Sequence, residues 1–84
     1  MTVENNVEAG RFEIHEDGQL AFLQYQRKAD SVVMVHTEVP KALGGRGVGT
    51  LLARTALEWA RAEGLPVVAT CPFVRKYMRE HPAP

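Results

Sequence analysis

The chain is poor in the features that would assign it quickly. It has one cysteine, Cys71, among 84 residues, so no internal disulfide can staple it, and a reduced, cytoplasmic setting is expected. It has no surplus of charge, with ten Lys and Arg against ten Asp and Glu. A neutral chain has no global field to draw it onto nucleic acid or an anionic membrane, so a small-molecule partner is expected. No run approaches the roughly 18 apolar residues of a membrane span. The first twenty residues hold no apolar core of secretory-leader length. Repeats, linkers and low-complexity tracts are also missing. What remains is one small domain, which buries only about 60–65% of its unfolded surface.

The local patterns read as a mixed α+β chain. Residues 1–10 are polar and are expected to be a flexible lead-in, with the domain spanning 11–84. Arg11 to Glu16 alternates, with Phe12 and Ile14 against Glu13 and His15, as a half-buried strand does. Asp17-Gly18 is a two-residue hairpin signal, and Gln19 to Gln26 returns as the second strand. Ser31 to Val39 is β-branched and nearly continuously apolar as far as His36, which predicts a strand covered on both faces. Leu51 to Glu63 shows a helical stripe, stopped by Gly64 and Pro66. Val67 to Cys71 predicts another interior strand, and Pro72 opens a second helix bearing Phe73, Val74, Tyr77 and Met78. The order is β-β-β-α-β-α: a mostly antiparallel, mixed sheet of about four strands with two helices.

The densest signal is Gly44-Gly45-Arg46-Gly47-Val48-Gly49-Thr50, between the third strand and the first helix. Glycines there let the backbone aim its N–H groups at one point, and the helix start adds unpaired N–H groups and the positive end of its dipole. Such a loop suits a phosphate. A nucleoside-triphosphate loop has a lysine after its last glycine, and here Thr50 and Leu51 follow Gly49. A dinucleotide fingerprint puts glycine where Thr50 stands and an acidic residue at the end of the next strand, which here ends at Cys71. A glycine-rich turn with no ligand is the plain alternative.

A third pattern, [QR]-x-x-G-x-[GA], is met at Gly47 and Gly49, with Gly44 at the position of the arginine or glutamine and Arg46 near enough to supply charge. His36-Thr37-Glu38-Val39-Pro40, Ala56-Leu57-Glu58 and Ala69-Thr70-Cys71-Pro72-Phe73-Val74 accompany it in order. From about Phe12 to His81 the chain resembles a small, single-domain branch of the GNAT (GCN5-related N-acetyltransferase) superfamily. The resemblance implies a pared-down acetyltransferase core that takes acetyl-CoA (coenzyme A) as co-substrate. Its pyrophosphate would lie on Gly44, Gly45, Arg46, Gly47, Val48, Gly49 and Thr50, and its pantetheine arm beside Thr37 and Val39. It implies transfer to an amine. A CoA-binding module without catalysis is the alternative, since the chain has little room for an acceptor pocket. A monomer or weak homodimer is expected.

Four side chains are candidates for the chemistry. Cys71, at a helix N-terminus, is placed to have its thiolate favoured and to accept acetyl by thioester exchange; a small apolar filler is the other reading. His36 and Glu38 share one face of a strand, and either can take the proton of an amine, or His36 can activate Cys71. The alternatives are a histidine capped at a strand end and a solvated glutamate. By resemblance, Tyr77 would protonate the departing CoA thiolate, although it also fits the apolar stripe of its helix. Lys41, Arg54, Arg75 and Lys76 are further candidates for phosphate contacts. His36-x-Glu38 with a later cysteine lacks the second cysteine of a zinc site, so no metal is expected.

Overall fold

A computed structural model describes residues 1–82, so the last two positions of the domain span read from the sequence lie outside the described residues. Five strands form one sheet in the order β1 (Glu4–Asn6), β2 (Arg11–Glu16), β3 (Gln19–Arg27), β4 (Val32–Glu38), β5 (Val67–Ala69). The first four are antiparallel neighbours, and β5 joins β4 in parallel. Helix α1 (Val48–Ala62) makes the crossover between β4 and β5, and α2 (Pro72–Glu80) follows β5. The chain is α+β with a mixed, mostly antiparallel sheet and two helices, in the order the sequence predicts plus one strand.

That strand is the first correction. Residues 1–10, read as a flexible lead-in, supply β1, whose Asn5 accepts a hydrogen bond from the Tyr25 hydroxyl at 2.7 Å. Three polar residues give no alternating apolar signal, so the pairing comes from the partner strand and not from β1 itself. The β2–β3 hairpin forms as predicted, with Asp17 and Gly18 both at positive φ, 52° and 72°.

Both helices pack on one face of the sheet. Phe12, Ile14, Ala21, Leu23, Tyr25, Val32 and Met34 meet Val48, Leu52, Ala53, Ala56 and Ala60 of α1 and Val74 of α2 in a single core. Alanines at 53, 56 and 60 remove side-chain bulk from the inner stripe of α1. The aromatic cluster of Phe12, Tyr25 and Trp59, with ring centres 5.0–5.5 Å apart, fills the wider end. Helix α1 closes with two N–H bonds, Gly64 to Arg61 O and Leu65 to Ala60 O, around Gly64 at φ 69°.

The opposite face explains two further corrections. Neither helix covers it, so β4 is covered on one face and not two: Val32 and Met34 are fully buried, and Val33 and Val35 are half-buried. β5 is an edge strand and not an interior one, with Val68 exposed. On this open face Glu13 is buried by its neighbours, at 5% exposure. It accepts from Arg11 Nε and, at 3.2 Å, Asn6 Nδ2, with His15 Nε2 at 3.1 Å. The Arg11 hydrogen bond holds the Glu13 carboxyl below its ordinary 4.5, against the opposing effect of burial, with His15 and Asn6 adding to it.

Between the depressed folded value and 4.5 the folded state holds fewer protons than the unfolded one. Glu13 therefore contributes stability above the ordinary carboxylate range and loses it as pH falls through the folded value. Glu13→Gln removes the carboxylate charge and leaves one acceptor oxygen where two serve Arg11, Asn6 and His15, and is expected to cost about 1–3 kcal/mol at neutral pH. The deficit should shrink in acid, as read by urea denaturation across pH.

Candidate active site

The site begins with a bulge. Gln24 and Tyr25 are consecutive on β3 but pair with His36 and Met34, so Val35 stands opposite no residue. Before the bulge Val32 and Met34 face the helices; after it Thr37 does, opposite the buried Leu23. The parallel ladder ends at the same place: β5 pairs with β4 only from Val32 to Met34. The Met34 carbonyl accepts the N–H groups of Thr70 at 3.0 Å and Cys71 at 3.2 Å, which fixes the chain where α2 starts.

Cys71 is the N-cap of α2, and its thiol donates to Thr37 Oγ1 at 3.5 Å. The side chain is nearly closed off, at 4% exposure. Burial raises its pKa, but the Thr37 hydroxyl and the backbone N–H groups of Val74, Phe73 and Thr37 outweigh it, so the thiol lies below its ordinary 9.0.

His36 and Glu38 share the open face, as predicted, with His36 Nε2 3.4 Å from Glu38 Oε1 and both exposed. The His36 ring lies 5.9 Å from that of Phe22. Thr37, between them, meets Cys71 on the helical face. His36 is thus on the other side of β4 from the thiol, and its predicted activation of Cys71 is not available in this geometry. Tyr77 stacks on His81, ring centres 4.2 Å apart and 18° from parallel, and packs against the core from α2.

The glycine loop opens beside the carboxyl ends of β4 and β5. After Pro40, a 3₁₀ turn from Lys41 to Leu43 leads into it, an element that no local signal had announced. Helix α1 starts at Val48, three residues before the predicted Leu51, with Gly47 as N-cap at φ 73°. No side chain caps it and its first turn has no acidic residue. The first intrahelical bond is Leu51 N–H to Gly47 O, so the amides of Val48, Gly49 and Thr50 have no intrahelical acceptor. They border a groove of about 460 Å³ lined by Val39, Pro40, Lys41, Leu43, Gly44, Gly45, Gly47, Val48, Gly49, Thr50 and Phe73. Unpaired N–H groups, a positive dipole end and Lys41 fit an anionic group.

Seven of the nine predicted loop and strand contacts line this groove: Val39, Gly44, Gly45, Gly47, Val48, Gly49 and Thr50. Arg46 does not, because it pairs with Asp17 of the hairpin at 2.8 Å; Lys41 brings the cation instead. Thr37 does not either, being turned to Cys71. Pro40, Leu43 and Phe73 line it without being predicted to, and Phe73 is predicted in the core stripe of α2. Of the two neighbours Phe73 and Val74 on α2, Val74 is fully buried and Phe73 is 41% exposed. A second groove, about 270 Å³ between Leu57, Leu65, Val67 and Met78, has an apolar wall and no helix N-terminus. Among the described residues no three His, Cys, Asp or Glu side chains gather as metal ligands, and no helix is long and apolar enough to cross a membrane.

Two outcomes follow. Gly47→Ala meets no atom within 4 Å but must hold φ 73°, so it is expected to lose about 1 kcal/mol in denaturant unfolding. The Cys71 thiolate, followed by its ultraviolet absorbance, is expected to titrate at a lower pH in the folded than in the unfolded protein. Stability should then rise with pH between those two midpoints, and Cys71→Ala should remove that slope.

Comparison with known proteins agrees with this geometry. Residues 11–83 match the family described as GCN5-related N-acetyl-transferase. The chain is 35% identical to Protein NATD1 of Mus musculus over 85 residues, covering 98% of this chain and 77% of that protein. It is 40% identical to Protein NATD1 of Homo sapiens over 65 residues, covering 76% and 58% respectively. With Protein NATD1 of Danio rerio it shares 32% over 87 residues, covering 100% and 79%. A family match over nearly the whole domain, with the α+β order and the glycine loop ahead of α1, places this chain in the GCN5-related N-acetyltransferase family.

Proposed function

We propose that the protein is an acetyl-CoA-dependent N-acetyltransferase, acting on an amine in the cytoplasm as a monomer or weak homodimer, with no nucleic acid or membrane partner. The observation behind this reading is that the glycine-loop amides and the Cys71 thiol stand at the same end of the parallel β4–β5 pair. In this reading the amides of Val48, Gly49 and Thr50, with Lys41, hold the pyrophosphate, and Val39 lies along the arm that runs toward Cys71.

Cys71 is the nucleophile of the route we favour, because backbone N–H groups and Thr37 favour its thiolate. Its sulfur bonds to the acetyl carbon as the carbon–sulfur bond to CoA breaks, and the CoA thiolate takes up a proton. A neutral amine then forms the C–N bond, the Cys71 thiolate leaves, and the amine nitrogen gives its proton to a base. Direct transfer is the second reading, favoured by the His36–Glu38 pair on the open face, where the histidine can take the proton of an incoming ammonium group. The CoA-binding module without catalysis is favoured by the burial of Cys71. Tyr77, which lines a cavity with Thr50 and Phe73, is the candidate proton donor to the departing thiolate.

The test is a calorimetric titration with acetyl-CoA, followed by intact mass measurement of the same sample. Binding with an added acetyl group, absent in Cys71→Ser, is the expected result. Binding and turnover without that adduct would move the chemistry to direct transfer, and binding without turnover on any amine would leave a CoA module. Gly47→Asp, which sets a carboxylate against the unpaired amides, should weaken CoA binding about tenfold or more, and Gly47→Ala controls for the backbone strain. Failure of the wild type to bind millimolar acetyl-CoA would overturn the reading.

A further inference from the structure

We propose that Phe73 is the specificity-determining residue of the glycine-loop groove, selecting a ligand that joins an apolar arm to its pyrophosphate over a bare nucleotide diphosphate. This rests on the acetyl-CoA reading and deepens it. Phe73 is 41% exposed, whereas the other exposed large apolar side chains among the described residues are Met1, Val7 and Val68, none of them aromatic. The far end of its ring lies against the start of α1: a Cβ built on Gly49 would stand 3.0 Å from its Cζ and 3.3 Å from Cε2. No positive φ is found at Gly49. The ring, and not the backbone angle, is what a side chain there would disturb.

The placement gives the ring its role. Phe73 stands two residues after Cys71 on the first turn of α2, and its ring reaches the first turn of α1. A ligand reaching from the α1 amides toward the thiol would run along the part of the groove that Phe73 lines. Along that path Val39, Pro40 and Phe73 present an apolar wall, while the amides present the polar end. A diphosphate needs only the amides; it would leave the ring in water. A carbon skeleton with branched methyl groups, as in the pantetheine arm, covers the ring and removes that area from solvent.

The test compares two ligands by calorimetry: CoA, and 3′-phosphoadenosine 5′-diphosphate, which is CoA without its pantetheine arm. Wild-type protein is expected to bind CoA more tightly. Phe73→Ala should weaken CoA binding about tenfold and leave the nucleotide unchanged, with Phe73→Leu recovering most of the loss. Thermal melting of each variant reports folding, and Phe73→Leu serves if Phe73→Ala does not fold. Equal losses for both ligands would mean that the ring only shapes the loop, and no loss for either would mean that it touches nothing; each overturns the proposal. Wild type that binds the nucleotide as tightly as CoA overturns the selectivity while sparing the phosphate site. Wild type that binds neither ligand removes the CoA reading itself.

Discussion

The Met34 carbonyl is where the sheet, the second helix and the site are tied together. It accepts from both Thr70 and Cys71, so it ends the β4–β5 ladder and sets the position of the α2 N-cap in one arrangement. The next residue, Val35, is the bulge. Without the double acceptor, β5 would have no reason to leave β4 at that point, and Cys71 would have no fixed height above the sheet. Without the bulge, Thr37 would face the open side and the thiol would lose its hydroxyl partner. A shared acceptor followed by one extra residue thus converts a short parallel pair into a cleft whose floor is an edge of β4.

That arrangement divides the chemistry by face. Alternation puts His36 and Glu38 on one side of β4 and Thr37 on the other. The helical side gathers the features that favour anions: the start of α1, the start of α2 and a thiol whose charged form is stabilised. The open side holds an acid–imidazole pair in water. An acyl donor and an ammonium acceptor need opposite environments, the first N–H groups and the second a proton acceptor. One strand of seven residues presents a different environment on each face by alternation.

Much of this was legible in the residues because it rests on local rules. The Asp17-Gly18 hairpin, the stripe of α1, the stop at Gly64 and the helix opening at Pro72 are all set by short-range sterics and periodicity. The glycine loop was legible for the same reason. What escaped depends on partners distant in sequence. β1 exists because β2 offers it an edge, and the bulge at Val35 is hidden in a run where every residue is apolar, so no break in period marks it. Covered and open faces of β4 look alike for that reason too. Arg46 sits in the loop but answers to Asp17, a hairpin residue whose position no spacing rule gives.

Phe73 is the instructive omission. Apolar residues on a helical stripe are assigned inward by default, and periodicity alone does not say which residue at the margin of the stripe stays outside. Here Val74 is fully buried in the core, and Phe73 is turned to Gly49, which has no side chain to keep the ring away. The glycine then has two consequences from one missing methylene: its amide is open to a ligand, and its Cα supports the aromatic wall beside that ligand. A loop selected only to bind phosphate would gain nothing from such a wall. On the proposed acetyl-CoA reading, the pairing of Gly49 with Phe73 would make the first turns of α1 and α2 one surface, with amides for the polar end of the ligand and a ring for its carbon arm.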